Sequence, residues 1–133
     1  MSVIRPVPFL RQALLADAVT TAACALLFLL AAGPLEGVLG LPSGLLRAAG
    51  AILTPFAALL AVLATRETLP RLAVWAVIAV NATWVIDSVL LLFSGWLEPT
   101  PAGTALVLAQ ALAVAMYAEL QYMGLRRSGG VAA

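Results

Sequence analysis

Four long runs of apolar residues, separated by short breaks that carry Arg, Gly and Pro, dominate the chain. The runs cover about 12–33, 45–64, 72–94 and 104–124. A helix crosses about 30 Å of hydrocarbon with about 20 residues at a rise of about 1.5 Å each, so every run is long enough to span a bilayer. The pattern predicts an all-α fold, a four-helix transmembrane bundle, whose helices we number as the first to the fourth span.

The spans take up most of the chain, so we expect residues 1–133 to form one integral membrane domain with membrane lipid as its surroundings. The mean hydropathy of +1.10 agrees with this expectation. Arg5 and Arg11 precede the first run, as a basic segment precedes the apolar part of a signal peptide. That apolar part usually has about 7–15 residues, which is shorter than the first run, and we therefore expect an uncleaved span.

The cations are unevenly distributed over the breaks between spans. One end of the predicted bundle carries only Arg47, and the other end, with both termini and the central turn, carries six: Arg5, Arg11, Arg66, Arg71, Arg126 and Arg127. The positive-inside rule places the Arg-rich end in the cytoplasm. Because the chain has no Lys and is rich in Ala and Leu, its composition is typical of a multi-pass protein of the bacterial inner (cytoplasmic) membrane.

The sequence also makes predictions for the segments outside the spans. Residues 34–44 and 95–103 are rich in Gly and Pro, so neither loop should be helical throughout. Residues 4–10 are expected to lie along the cytoplasmic membrane surface, with Phe9 and Leu10 dipping into the bilayer.

Several chemistries are excluded by residues that the sequence lacks. Without His there is no imidazole ligand for haem, zinc, copper or iron, and without Lys no Schiff base forms. Cys24 is the single cysteine, so thiol redox chemistry has no second sulfur. No more than two Arg are adjacent, and no basic patch for nucleic acid results. We therefore expect neither an enzyme nor a metal site, cofactor or nucleic-acid partner.

Polar residues recur at helical spacing within three of the spans, and a face of small residues that includes Thr54 and Thr65 runs along the second span. Together these four faces predict a polar-lined interior of the bundle. The members of the three polar stripes are Asp17, Thr20, Thr21 and Cys24 in the first span, Asn81, Trp84, Asp87 and Ser88 in the third, and Gln110, Tyr117 and Gln121 in the fourth. The Thr and Gln residues are expected to form hydrogen bonds between helices. The indole N–H of Trp84 needs an acceptor or a ligand. Either Trp84 packs as a plug bonded to a neighbouring helix, or it lines a pocket with Asn81 and Tyr117.

The carboxylates inside the spans need partners, because a charge near the bilayer centre costs about 2.5–3.5 kcal/mol on insertion scales. Arg47 is expected to pair with Asp87. Asp17 and Glu119 are placed about five residues from the cytoplasmic ends of their spans, within reach of Arg11 or Arg126. Glu119 projects away from the Gln110 stripe. It therefore either reaches the head groups or marks a contact with a second copy or a partner subunit.

Parts of the third and fourth spans resemble a known group of sequences. The similarity is carried by four segments: NATWVIDSVLLL (81–92), SGWLEPT (94–100), LAQA (108–111) and AELQY (118–122). They are similar to a group of small bacterial four-span membrane proteins. The resemblance implies the four-span topology and no particular chemistry. A weaker similarity between residues 30–36 and 92–98 suggests two duplicated helical hairpins.

Two classes of function remain open. The first is a non-catalytic accessory protein or a bundle that holds a ligand or lipid. The second is a small oligomeric transporter or channel linked to protons or cations. In both, the candidate residues for a ligand or an ion are Asp17, Asn81, Trp84, Asp87, Tyr117 and Glu119.

Overall fold

The structure, a computed structural model, describes residues 2–131 and the side chains of residues 2–130. Its elements are β1 (Val3–Arg5), α1 (Pro8–Leu30), α2 (Ala32–Leu39), α3 (Ser43–Thr65), β2 (Leu69–Pro70), α4 (Arg71–Phe93), α5 (Pro101–Arg127) and β3 (Gly129–Val131). The helices α1, α3, α4 and α5 have 23, 23, 23 and 27 residues and are long and apolar enough to cross a membrane. The all-α four-helix transmembrane bundle is confirmed.

The helix boundaries follow the chemistry of Pro and Thr. Pro8 and Pro101 lie in the first turns of α1 and α5, where the missing N–H would have no helical partner. The Thr100 side chain caps α5 by accepting a hydrogen bond from the Gly103 N–H at 3.0 Å. Both helices therefore begin a few residues before the apolar runs do.

A short helix that the sequence pattern does not predict follows the first span. The first apolar run extends to residue 33, but α1 ends at Leu30 and the eight-residue α2 begins at Ala32. Pro34 is the third residue of α2, a position that needs no hydrogen-bond donor within the helix. The expectation that 34–44 is not helical throughout holds, since α2 ends at Leu39 and Gly40 follows with φ 67°.

The four long helices pair as two hairpins. α3 packs along α1, α4 packs along α5, and the hairpins join through a contact between α1 and α5. The spatial order is thus α3, α1, α5, α4, and α3 and α4 scarcely touch although they are neighbours in the chain. This arrangement leaves a groove between α3 and α4.

A three-stranded sheet closes one end of the bundle, which we call the sheet end. β1 is the central strand and pairs antiparallel with β2 and with β3. The Ser128 hydroxyl accepts from the Val7 N–H at 3.1 Å and donates to the Gly124 carbonyl at 2.8 Å. The sheet therefore brings three segments together on one side of the bundle: the segment before α1, the turn between α3 and α4, and the segment after α5.

The structure contradicts the predicted surface position for Ile4 and Leu10, whereas Arg5 and Pro8 are exposed. Ile4 and Leu10 are fully buried in the main apolar core, together with Leu14, Leu60, Leu69, Val74, Val77 and Leu125, and do not lie on the membrane surface. Residues 3–5 are held against this end of the bundle because their backbone pairs on both edges. A Cβ on Gly124 would lie 2.8 Å from the Cα of Leu10, so the two helices that carry them are in close contact.

A second, smaller core lies at the opposite end, which we call the α2 end. It contains Ala32, Leu39, Leu41 and Leu46. The Thr100 side chain donates to the Val38 carbonyl at 2.7 Å, and the Thr100 N–H donates to the Leu39 carbonyl at 3.0 Å. These bonds join α2 to the segment before α5 at this end of the bundle.

Candidate functional site

A buried carboxylate lies where α1, α4 and α5 meet. Asp17 of α1 is 1% exposed, and its Oδ2 accepts hydrogen bonds from Asn81 Nδ2 of α4 at 2.8 Å and from Gln121 Nε2 of α5 at 2.7 Å. The Thr21 hydroxyl donates to Asp17 Oδ1 at 3.0 Å, and Asn81 Nδ2 also donates to Gln121 Oε1 at 3.0 Å. We call these four residues the Asp17 cluster.

The partners of Asp17 are neutral, which corrects the expectation that Arg11 or Arg126 reaches it. Arg11 instead donates to the Ala64 carbonyl at 2.7 Å, and Arg126 lies over the Tyr122 ring. Asp17 is also deeper than the apolar run suggested. It follows Pro8, the first residue of α1, by nine residues, which is about 14 Å at the rise of an α-helix. At this depth three hydrogen bonds from uncharged groups take the place of water and of a counter-ion.

Helical spacing accounts for part of the cluster. Asp17 and Thr21 are one turn apart on α1 and therefore share a face. Gln121 belongs to the polar stripe of α5, but its type and position indicated only a hydrogen bond between helices. Its role as the direct partner of Asp17 and Asn81 depends on how α1, α4 and α5 are positioned relative to one another along the bundle axis. The sequence pattern does not specify these positions.

Thr20 and Tyr117 form a second contact between α1 and α5. Their hydroxyl oxygens are 2.6 Å apart, and either of them can donate. Tyr117 was a candidate for a ligand pocket with Asn81 and Trp84. In the structure it is half-buried and bonded to Thr20, and it does not line the groove between α3 and α4.

Trp84 finds its acceptor on the neighbouring helix, as the sequence required. The indole Nε1 donates to Gln110 Oε1 at 2.7 Å, and Gln110 Nε2 donates to the Ser88 hydroxyl at 3.1 Å and to the Val107 carbonyl at 2.8 Å. Ser88 in turn donates to the Trp84 carbonyl at 2.7 Å. This network fixes the indole ring between α4 and α5.

The groove between α3 and α4 has a volume of about 240 Å³ and lies toward the α2 end. Trp84, Asp87, Ser88 and Gln110 form its polar side. The remainder is apolar and comes from α1, α3, α4, α5 and the segment before α3: Phe28, Leu41, Leu45, Leu46, Ala48, Ala49, Ile52, Leu91, Leu106 and Val107. A largely apolar cleft with a few polar groups on one side is the usual form of a small-molecule site.

Asp87 stands in this groove without the partner that the sequence predicted. Its side chain is exposed and lines the groove, whereas Arg47 is exposed on α3 and is not among the lining residues. Within residues 2–130, whose side chains are described, no ion pair joins the two, so the predicted pair is not formed here. The reason is the order of the helices, since α3 and α4 are not packed against each other.

Glu119 lies apart from both polar regions. It is exposed on α5, while Gln121 of the same helix is fully buried. The two-sided polarity expected of this helix is therefore present in the structure. Of the six residues proposed from the sequence, Asp17 and Asn81 come together in the Asp17 cluster, and Trp84 and Asp87 share the groove. Tyr117 and Glu119 belong to neither.

The described part of the chain contains no group of three or more Cys, Asp or Glu side chains that would hold a metal ion. No family model, curated protein or solved structure matches the chain. The similarity to small bacterial four-span proteins thus stays a prediction.

Proposed function

We propose that the protein is a non-catalytic membrane protein that holds a small, largely apolar ligand in the groove between α3 and α4. The observation that carries this proposal is the groove itself, an apolar cleft of about 240 Å³ with Trp84, Asp87, Ser88 and Gln110 along one side. Its walls belong to helices that are each packed against another helix, so the cleft exists before a ligand enters and little has to be reorganised on binding.

The side chains present favour holding a ligand over transforming one. The sequence has no His or Lys and a single Cys, which excludes imidazole and amine bases, Schiff-base chemistry and paired thiols. Asp17 accepts three hydrogen bonds at a place away from the groove, and no second carboxylate belongs to its cluster. A non-enzymatic role without a cofactor is therefore part of the proposal.

The test is native mass spectrometry of the protein released from its own membranes in mild detergent. Ala49 lines the groove, and Ala49→Phe is designed to fill a large part of it. Ala51 is exposed on the same helix outside the groove, so Ala51→Phe is the matched control. We expect a retained small-molecule mass in the unmodified protein and in Ala51→Phe, and its loss in Ala49→Phe. Equal retention in both variants would contradict the proposal.

We further propose that the sheet end faces the cytoplasm of a bacterial inner membrane. The support is the excess of Arg at the termini and central turn, which the structure gathers on one side. Trp75 and Tyr122 lie near this end with ring centroids 5.6 Å apart, as expected at a membrane interface. Contact of α5 with a second copy or a partner subunit is supported by the exposed Glu119, since a lipid-facing carboxylate is costly.

A transporter or channel linked to protons or cations is the second candidate, supported by the burial of the Asp17 carboxylate among uncharged partners. Asp17→Asn combined with Glu119→Gln tests it in proteoliposomes. If ion flux changes while the bundle stays folded, transport is favoured. Unchanged flux with loss of self-association would favour the accessory role.

A further inference from the structure

We infer that the ligand of the groove is a small cationic amphiphile, with one positively charged nitrogen facing Asp87 and a short apolar body between α3 and α4. The inference rests on the proposed function and names the chemical class of its ligand. It is carried by the position of Asp87, the one charged residue that lines a largely apolar groove.

Asp87 has no counter-charge among the residues that line the groove. Asp87 precedes Phe93, the last residue of α4, by six residues, about 9 Å at the helical rise. A carboxylate at this depth of a bilayer is costly unless a cation or several donors accompany it. The other polar groups that line the groove are already engaged with each other, because Trp84, Gln110 and Ser88 form one network. A ligand cation is therefore the complement that the groove lacks.

The depth of Asp87 and the volume of the groove favour a small amine over a lipid head group. A phospholipid carries its ammonium next to a phosphate at the membrane surface, so an ammonium at Asp87 would draw the phosphate toward the hydrocarbon. A compound whose only charge is the ammonium avoids this cost. The volume of about 240 Å³ is smaller than the about 300–1,000 Å³ of a site for a drug-sized molecule, which favours a short chain.

Octylamine, which is protonated at neutral pH, and octanol form a probe pair of equal length that differs in charge. Binding is read from the emission of Trp84 in phosphatidylcholine nanodiscs, in a Trp75→Phe and Trp96→Phe background that leaves this indole as the only one. Empty discs correct for partitioning of the probes into lipid. Octylamine is expected to bind at least tenfold more tightly than octanol, and this comparison needs no change at Asp87.

Asp87→Asn should reduce octylamine binding at least tenfold and leave octanol binding unchanged. Glu119→Gln, which neutralises the other exposed carboxylate of the long helices, is the matched control and should change neither. Equal binding of both probes to the unmodified protein, or full octylamine binding by Asp87→Asn, would overturn the inference and leave the proposed function standing.

Two further outcomes identify other occupants. Displacement of octylamine when the discs are made with phosphatidylethanolamine would make a lipid head group the occupant and would also overturn the inference. If neither probe changes the emission of Trp84 beyond the value for lipid partitioning, the groove does not hold ligands of this kind, and the proposed function fails together with the inference.

Discussion

Replacing Asp17 by Ala should destabilise the bundle, whereas replacing it by Asn should not. In Asp17→Ala, the amide groups of Asn81 and Gln121 and the Thr21 hydroxyl lose the acceptor they share. Three hydrogen bonds at the membrane average of about 0.6 kcal/mol amount to about 2 kcal/mol. A buried donor left unpaired adds about 1–3 kcal/mol. We therefore expect a loss of about 3–5 kcal/mol in the free energy of unfolding.

Asp17→Asn should differ because it keeps the shape and most of the bonds. Its amide oxygen takes the place of Oδ2 and accepts from Asn81 and Gln121, and its NH₂ group donates to the Thr21 hydroxyl, which acts equally well as an acceptor. The substitution also removes the cost of burying a charge. We expect the free energy of unfolding to stay within about 1 kcal/mol of the unmodified value or to rise.

The assay is reversible unfolding by SDS in mixed micelles, followed by circular dichroism. The order expected is Asp17→Asn equal to or above the unmodified protein, and Asp17→Ala well below both. If Asp17→Asn is as unstable as Asp17→Ala, the negative charge itself is bound by something other than these neutral donors. If Asp17→Ala is as stable as the unmodified protein, the cluster does not hold the three helices together.

Three other substitutions test separate parts of the structure by the same unfolding assay. Gln110→Leu removes the acceptor of Trp84 and should cost about 1–3 kcal/mol, with a changed Trp84 emission; unaltered stability and emission would contradict the network. Gly124→Ala places a Cβ 2.8 Å from α1 and should cost about 1–3 kcal/mol, whereas Gly37→Ala, with open space around it, should be neutral; equal effects would refute the close contact. Ser128→Ala should cost about 1–2 kcal/mol and loosen the sheet end, visible as faster amide exchange in residues 3–7; unaltered exchange would show that this serine does not hold the N-terminal segment.

The fold was predictable because run length and hydropathy decide how many helices cross a bilayer. The polar stripes were predictable as well, since a period of 3.6 residues assigns Asp17 and Thr21, or Asn81 and Ser88, to a common face. Trp84 needed an acceptor on chemical grounds alone, and Gln110 of the adjacent helix provides it. These features depend only on local spacing and on the cost of burying a polar group.

The predictions that were wrong depend on which segments of the chain are neighbours in the fold. The Arg47–Asp87 pair assumed that helices adjacent in the chain also pack together, but α3 and α4 are separated by the α1–α5 contact. The burial of Ile4 depends on pairing with residues 69 and 130, far away in the sequence. Strands of two or three residues are too short for a pattern of alternation to reveal them. The groove follows from the same helix order and was therefore not predictable either.

Photo-crosslinking tests the central claim, that the groove between α3 and α4 holds the ligand, most directly. A diazirine derivative of octylamine is activated in nanodiscs that contain the protein, and the modified residues are located by peptide mass spectrometry. We expect labels on groove residues such as Leu45, Ala49 and Leu91, and we expect the labelling to be lost when unlabelled octylamine is added in excess. Labels spread evenly over exposed apolar residues outside the groove, such as Val19 and Leu26, and insensitive to that excess, would contradict the claim.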